Sequence, residues 1–250
     1  MILGQQAARA FVEIDAAVSA LIASSKRASK VYFNAHVDPS AVPTGGVIYN
    51  FENINLQIPP DTFSTQHEIW DFSARNVERW RAAGRNAVHV PVGFHASMTR
   101  FQPRPWSERN IDVVFVGYRN ARRRAVLDAL TRRGLRVEHL HGVYGAKRDE
   151  VLARSKVALN MLYYDKGVFP VLRQLHAAAN HVAVISEVAD EAPVWVHPAP
   201  VPYGSLVDSI AGLVRGSPSN LTLAARQASV MLRAYPLSIP PGPQSPSRNK

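Results

Sequence analysis

The chain has 250 residues, enough for one large domain or two small ones. It contains no cysteine, which excludes a disulfide framework and a thiolate zinc site. Its formal net charge of +10 at pH 7 favours an anionic partner: a nucleotide, a nucleic acid or an acidic membrane surface. It contains no apolar run long enough for a membrane span and no signal-peptide pattern. We therefore expect a cytoplasmic protein, and leave open attachment to a membrane surface.

The first hundred residues alternate helix-like and strand-like patterns. Apolar residues at spacings of three and four predict a helix over residues 5–24. The next predicted elements are strands at 30–36, 45–51, 68–70 and 87–91, with a helix at 74–83 between the last two. These elements predict a small α/β unit at residues 1–100, and the polar, proline-broken residues 101–110 predict a linker.

From residue 111 the strands and helices succeed each other regularly. The pattern predicts strands at 111–116, 135–140, 157–161 and 182–187 with helices between them, a short strand at 194–196, and final helices at 203–215 and 219–235. Strands that alternate with helices of about 10–15 residues are typical of βαβ units and a parallel sheet. The second α/β unit thus spans 111–235, and the unpatterned residues 236–250 predict a disordered tail.

Ligands of such sheets bind at the carboxyl ends of the strands, which predicts where the site residues lie. After the first strand of the second unit come Gly117, Tyr118 and Arg119, with Arg122 and Arg123 in the following helix. Backbone N–H groups at a helix start and guanidinium groups favour a pyrophosphate there. The alternative is a simple turn with surface arginines.

The later turns of this unit supply further candidates for the same edge. The loop with His141, Gly142 and Tyr144 is either a base-contacting loop or a plain turn. The Asn160 amide, inside an apolar run, needs backbone or ligand partners. Lys166 and Arg173 are candidates for contact with a diphosphate. Glu187 could accept a hydrogen bond from a sugar or ribose hydroxyl, and the alternative is a structural role as a helix cap or in a salt bridge.

Titratable residues near the strand ends of the first unit are candidate general bases. These residues are His36, Asp38 and Glu52, and a structural role is the alternative for each. The chain has no D-x-D triplet, H-E-x-x-H or P-loop, so a metal site is not indicated. It also has no G-x-S-x-G, which argues against an α/β-hydrolase.

The succession of motifs in the second unit resembles the carboxyl half of GT-B glycosyltransferases, and in particular the CgeB-like, glycosyltransferase family 1-like bacterial proteins. The similarity rests on strand–Gly–Tyr–Arg at 117–119, His-Gly-Val-Tyr-Gly at 141–145, Arg-Ser-Lys-Val-Ala-Leu-Asn at 154–160, Arg173, and Val-Ile-Ser-Glu at 184–187. The segments 47–52, 69–76 and 89–94 are similar to the amino half of the same proteins. The resemblance covers most of residues 30–215.

The resemblance implies two Rossmann-like domains of GT-B type, the first reduced, facing across a cleft, with C-terminal helices. It implies a metal-independent glycosyltransferase without a cofactor. The nucleotide-sugar donor, which is a substrate, would bind the second domain, and the sugar, lipid or protein acceptor the first. Where many relatives carry a Glu one turn after the helix Arg, this chain has His176, and Ala177-Ala-Ala-Asn180 stands where a Gly usually follows. The small first domain also suggests homo- or hetero-oligomers.

Two other classes of function remain open on the sequence. One is a non-catalytic binding or scaffold protein that keeps the fold and acts with a partner. The other is a basic nucleic-acid or membrane-surface binder, which is disfavoured because the sequence has no RNP aromatic motif, zinc finger or dimeric helix-turn-helix pattern.

Overall fold

The computed structural model describes residues 12–24, 30–33, 35–54, 58–196 and 199–240. The described chain is a mixed α/β structure with two four-stranded parallel sheets, compatible with a Rossmann-like α/β fold. It divides into two compact units. Unit 1 comprises Met1–Ser97 and Leu237–Lys250, and unit 2 comprises Met98–Pro236. None of the helices in the described ranges combines the length and apolarity that crossing a membrane requires.

Unit 1 contains one parallel sheet whose strands lie in the same order as in the chain, β1-β2-β3-β4. Its elements are α1 (Val12–Ser24), β1 (Val31–Phe33), β2 (Val47–Asn50), β3 (Glu68–Asp71), α2 (Ala74–Ala82) and β4 (Asn86–His89). The predicted strands and the helix at 74–83 are confirmed, with ends shifted by up to three residues. The first predicted helix is confirmed from Val12, and residues 5–11 lie outside the described residues.

The core of unit 1 forms around the aromatic side chains of α2 and the sheet. Ser73 caps α2 by accepting a hydrogen bond from the backbone N–H of Asn76, which fixes where the helix begins. The helix then places the fully buried Trp80 ring 5.4 Å from that of Phe63, measured between centroids. Burial of such large rings contributes much of a small unit's stability.

Unit 2 contains the second sheet, whose strand order is β6-β5-β7-β8. Its elements are β5 (Ile111–Val116), α3 (Ala121–Arg132), β6 (Val137–Leu140), α4 (Gly145–Ala153), β7 (Ser155–Asn160), α5 (Val171–Ala179), β8 (Ala183–Ser186), α6 (Leu206–Arg215) and α7 (Pro218–Arg233). The predicted βαβ succession is confirmed. The chain passes from β5 outward to β6 and then back to β7, so the winding direction reverses between β5 and β7. Such a switch point leaves a crevice at the carboxyl ends of the two strands.

Apolar runs explain why β5 and β7 lie at the centre of this sheet. Val113, Phe115, Val157 and Leu159 are all at most 1% exposed, as expected for strands covered on both faces. The covering helix α3 begins at Asn120, whose side chain accepts a hydrogen bond from the N–H of Arg123. These boundaries set the turn that carries the candidate site.

Three sequence-based predictions are wrong in part. Residues 101–110 are not a free linker, because the Arg104 N–H donates to the Ala153 carbonyl at 2.9 Å within unit 2. No strand forms at 194–196, where the chain turns. In the predicted tail, Leu237 is buried and donates to the Phe94 carbonyl, while residues 241–250 lie outside the described residues.

Candidate functional site

The switch point of unit 2 brings two loops together at the carboxyl edge of the sheet. The loop after β5 contains Tyr118 and Asn120, and the loop after β7 contains Tyr163. The strands pair in parallel, and the Asn120 side-chain amide then donates to the Tyr163 carbonyl at 2.7 Å. The two loops are therefore joined directly beyond the strand ends.

Arg173 lies against the end of β5 although it belongs to α5. Its Nη1 donates to the Val116 carbonyl at 3.0 Å. Gly117 follows with a φ of +145°, and a Cβ at this position would stand 2.8 Å from the same Nη1. The backbone conformation therefore favours glycine, and a side chain at this position would also displace the Arg173 guanidinium. The structure places two predicted site residues, Gly117 and Arg173, next to each other.

A second guanidinium, that of the buried Arg123, forms hydrogen bonds to both loops. Arg123 is 3% exposed and donates to the carbonyls of Tyr118, Met161 and Leu162 at 2.7 to 3.1 Å. Burial and the charge of Arg173 lower the pKa of Arg123 to about 10, so its side chain stays protonated at neutral pH. Two cationic groups therefore lie close together at this edge, an arrangement that favours an anion.

Aromatic rings cover the same edge. Tyr118 is 55% exposed, and its ring centroid lies 5.5 Å from that of His141 and 6.0 Å from that of Tyr163. Tyr163 in turn contacts Tyr164 at 4.9 Å. Exposed, fixed aromatic rings are suited to stacking on a base or a sugar ring. Sequence reasoning placed residues 160–164 at this edge but gave Tyr163 and Tyr164 no role, although an aromatic pair directly after a buried strand was a usable signal.

Arg122 and Glu187 form a salt bridge with each other. The Arg122 Nη1 lies 2.8 Å from the Glu187 Oε2, and the guanidinium carbon lies 3.8 Å from the centroid of the Tyr203 ring. The Leu162 N–H donates to the Glu187 Oε1 at 2.6 Å. Burial raises the pKa of Glu187, although these bonds oppose the shift. Glu187 thus forms the salt bridge that was its alternative to ligand contact, and Arg122, its partner, is largely buried instead of a surface arginine.

The remaining predicted residues of unit 2 separate into buried and exposed groups. Asn160 is fully buried and bonds to the side chains of Ser186 and Gln174, so its amide is satisfied inside the unit. The exposed or half-exposed residues at the sheet edge are Arg119, His141, Gly142, Tyr144 and Lys166. Their positions are compatible with ligand contact, whereas that of Asn160 serves packing.

His176 faces the interior of unit 2. Its Nε2 lies 2.8 Å from the Asp149 Oδ1, and the Arg100 Nε donates to the Asp149 Oδ2 at 3.0 Å. Burial would raise the pKa of Asp149, but His176 and the neighbouring Arg148 lower it to about 2. This buried ion network was not predicted from the sequence, and it keeps the His176 side chain within the packing of α4 and α5.

The candidate bases of unit 1 are only partly brought together. His36 and Glu52 line one shallow depression, which we call the unit 1 depression; its other lining residues include Ile48, Asn50, Phe51 and Phe63. Burial lowers the pKa of His36, so its imidazole is neutral at pH 7. Asp38 is exposed and accepts a hydrogen bond from the Ser40 hydroxyl at 2.6 Å.

Sequence reasoning did not include Asp71 among the candidate site residues. Asp71 is fully buried at the end of β3, next to Asn50 of the unit 1 depression. Burial raises its pKa to about 6, although several N–H donors oppose the shift. A carboxylate at the end of a parallel strand was the available signal.

No protein-family model matches this chain, and a search of curated proteins found none with significant sequence similarity. Among the residues that the structure describes, no group of three or more His, Cys, Asp or Glu side chains could hold a metal ion. The chemistry of the two sheet edges therefore carries the functional argument.

Proposed function

We propose that unit 2 binds a nucleotide sugar and that the protein is a metal-independent glycosyltransferase of GT-B type. The observation that carries this proposal is the position of the Arg173 guanidinium at the switch point, bonded to the Val116 carbonyl and next to Gly117. A diphosphate at this edge would meet Arg173, the charge of Arg123 and the N-terminus of α3. The exposed rings of Tyr118 and Tyr163 would stack on the base.

The proposed reaction is attack of an acceptor oxygen on the anomeric carbon of the donor sugar. A new carbon–oxygen bond forms as the bond to the diphosphate breaks, and a base takes the acceptor proton. His36, Asp38 and Glu52 of unit 1 remain the candidate bases. The guanidinium groups of unit 2 stabilise the charge that develops on the leaving diphosphate, a task that a fixed cation performs without a metal.

The first test is thermal stability in the presence of the uridine, guanosine, thymidine, cytidine and adenosine diphosphates, each with and without a sugar. A ligand that binds only the native state stabilises it by about 2.7 kcal/mol at a hundredfold excess over its Kd. We expect the diphosphate of one nucleoside to raise the midpoint of thermal unfolding more than the others do. Arg173→Ala should lower the affinity for this nucleotide by about tenfold or more, because a charge-assisted hydrogen bond contributes about 1.5–3 kcal/mol.

The matched control is Arg124→Ala, which removes an exposed arginine from α3 near the same edge. Each variant is compared with its own midpoint without ligand, which separates a loss of binding from a loss of stability. A selective shift that Arg124→Ala keeps and Arg173→Ala loses supports the donor site. Equal shifts in both variants, or no shift with any nucleotide, contradict it.

A non-catalytic binding or scaffold protein is the second candidate, and the state of Glu187 favours it. Both carboxylate oxygens of Glu187 are engaged by Arg122 and by the Leu162 N–H, and the residue is 1% exposed. A ribose or sugar hydroxyl therefore has no open carboxylate at this strand end. Nucleotide binding without hydrolysis or transfer of the sugar, measured by release of the diphosphate, would support the scaffold.

A further inference from the structure

The last helix, α7, has apolar side chains on both of its faces. Its inner face packs on α5, α6 and β8 and buries Leu221, Ala225 and Leu232. On its outer face, Leu223 is 55% exposed and Val230 is 68% exposed. These two residues are two helical turns apart, so they lie on the same side of the helix. The outer face of a surface helix is normally polar, and α7 departs from that pattern.

The exposed apolar surface continues beyond the end of the helix. Met231 is 38% exposed, and Tyr235, which follows the helix, is 53% exposed. We call Leu223, Val230, Met231 and Tyr235 the α7 patch. It supplies four of the ten large apolar or aromatic side chains that are exposed in the described part of the chain. Such a concentration on one element indicates a contact surface, whereas single exposed apolar residues scattered over a protein need no explanation.

Two exposed arginines of the same helix, Arg226 and Arg233, accompany the α7 patch. Burial and the charges of Arg233 and Arg226 lower the pKa of His181, so both guanidinium groups lie near this imidazole. The sequence contains no Asp or Glu after residue 208, and none occurs in α5 or β8. Asp208 itself, on α6, pairs with Arg133 of α3. The outer face of α7 is therefore both apolar and basic.

This combination of groups discriminates between possible partners. A nucleic acid would pair with Arg226 and Arg233 but would leave Leu223 and Val230 without apolar contacts. A second copy, packed about a twofold axis at the middle of α7, would bring Arg226 against itself. An acidic phospholipid surface supplies phosphate groups for the arginines and acyl chains for the apolar side chains. Amphipathic helices that lie in the plane of a membrane use the same two kinds of contact.

We propose that the outer face of α7 binds the surface of a membrane that contains acidic phospholipids. Leu223 and Val230 enter the boundary between headgroups and acyl chains, while Arg226 and Arg233 pair with the phosphates. Tyr235 has the apolar body and polar tip that are typical of side chains at this boundary. The helix lies parallel to the membrane and does not cross it. The proposal uses none of the residues of the proposed nucleotide site and does not rest on it.

The first test is cosedimentation of the full chain with vesicles of phosphatidylcholine alone, and with vesicles of equal parts phosphatidylcholine and phosphatidylglycerol. We expect binding to the acidic vesicles only. Arg226→Gln should lower the affinity by about fivefold, the contribution of one basic residue near an acidic surface. Leu223→Ser combined with Val230→Ser should lower it by about tenfold or more, because the apolar contacts are lost. The matched controls are Arg132→Gln and Val194→Ser, which change exposed residues elsewhere on unit 2.

The absence of cysteine allows a second test that locates the contact. A single thiol is introduced as Val230→Cys and labelled with a polarity-sensitive fluorophore, whose emission should shift to the blue on acidic vesicles. The matched control is Val194→Cys, whose label should stay in water. Both valines are exposed, so neither substitution removes a core side chain.

Acidic-vesicle binding that the α7 variants lose and the controls keep, together with the blue shift at position 230, supports the proposal. It is overturned if neither kind of vesicle binds, if the controls lose binding equally, or if the label at position 230 stays in water. Equal binding to a DNA duplex, unaffected by the two serine substitutions, would overturn it in favour of a general polyanion surface. A dimer that these substitutions dissociate, measured by sedimentation velocity, would overturn it in favour of a second copy.

Discussion

One buried charge in each unit, Arg123 in unit 2 and Asp71 in unit 1, is held by neutral hydrogen-bonding groups instead of by a counterion. Arg123 donates to three backbone carbonyls, and Asp71 accepts from four N–H groups. Burial of a charge is costly, so each needs several well-placed partners. Each charge in turn fixes residues around it. Arg123 bonds to the two loops of unit 2, and Asp71 orients Asn50 and Asn76, whose amides donate to the Glu52 carbonyl. Both charges thus act on loops that carry candidate site residues.

The raised pKa of Asp71 predicts a pH dependence of stability. Its pKa is about 6 in the folded protein against an ordinary 3.8, so the folded state binds its proton more tightly than the unfolded state. This contribution is fully present below the unfolded pKa and is lost as the pH rises through about 6. The unfolding free energy of the wild type, relative to Asp71→Asn, should fall by about 3 kcal/mol from low to neutral pH.

Urea denaturation of both proteins across this pH range measures the difference. The comparison removes the contributions of Asp112 and Asp149, whose pKa values lie near 2 and whose stabilising effect has the opposite sign. In Asp112, burial raises the pKa, but the bonds from Arg136 and Lys156 outweigh it. A difference that is independent of pH, or that grows as the pH rises, would show that Asp71 ionises with an ordinary or lowered pKa.

At the scale of the element, the turn from β5 to α3 combines backbone geometry with the ligand chemistry. Gly117 has a left-handed φ and leaves room for Arg173, and Asn120 ends the turn by capping α3. The loop after β7 is tied to the same turn through Asn120 and Arg123. Arg173, the Asn120 cap and the loop after β7 therefore all fix the turn, and its conformation should persist without a ligand.

Gly117→Ala should lower both stability and nucleotide binding. The left-handed φ and the contact of the new methyl group with Arg173 cost about 1–3 kcal/mol and displace the guanidinium. Gly134→Ala is the matched control, because Gly134 also has a positive φ, of +80°, but nothing lies within 4 Å of its Cβ position. Thermal shifts with the selected nucleotide should fall in the first variant and persist in the second. Equal behaviour of the two would mean that Arg173 does not act through this contact.

At the scale of the whole molecule, the net charge of +10 is distributed unequally between the two sheet edges. The edge of unit 2 contains Arg123, Arg173 and exposed basic residues, whereas the described lining of the unit 1 depression contains a carboxylate and no cationic side chain. The basic excess is thus not spread evenly over both candidate sites.

Salt separates a built nucleotide site from general attraction to polyanions. At about 1 M salt the Debye length is only about 3 Å, so exposed charges are screened while half-buried groups are screened less. Nucleotide binding, which also uses stacking, should keep most of its affinity in concentrated sodium chloride. Binding to a DNA duplex, measured by fluorescence anisotropy, should collapse, because log K falls linearly with log salt. If the two fall in parallel, the protein is a general polyanion binder.

Part of the candidate site was predictable because its residues directly follow a strand. Gly117 and Tyr118 were assigned to the sheet edge from the strand and turn pattern, and they lie there. Arg173 was predicted as a diphosphate contact on the following helix, and its guanidinium bonds to the end of β5. Arg122 and Glu187 were assigned to the same edge, but the structure pairs them across 65 residues of sequence. Spacing along the chain carries no information on such a partner, because two charged residues at one edge suit a ligand as well as each other.

The sequence by itself determined which segments form the strands and helices, because burial imposes an apolar pattern that is local. Ile111–Val116 was located to the residue, and most other element ends fall within about three residues of their prediction. Only the tertiary structure decided the strand order, and with it the switch point between β5 and β7. It also decided that Arg123 and Asp71 are buried and bonded. Those outcomes depend on neighbours distant in the chain, whose hydrogen bonds form only once the sheets are assembled.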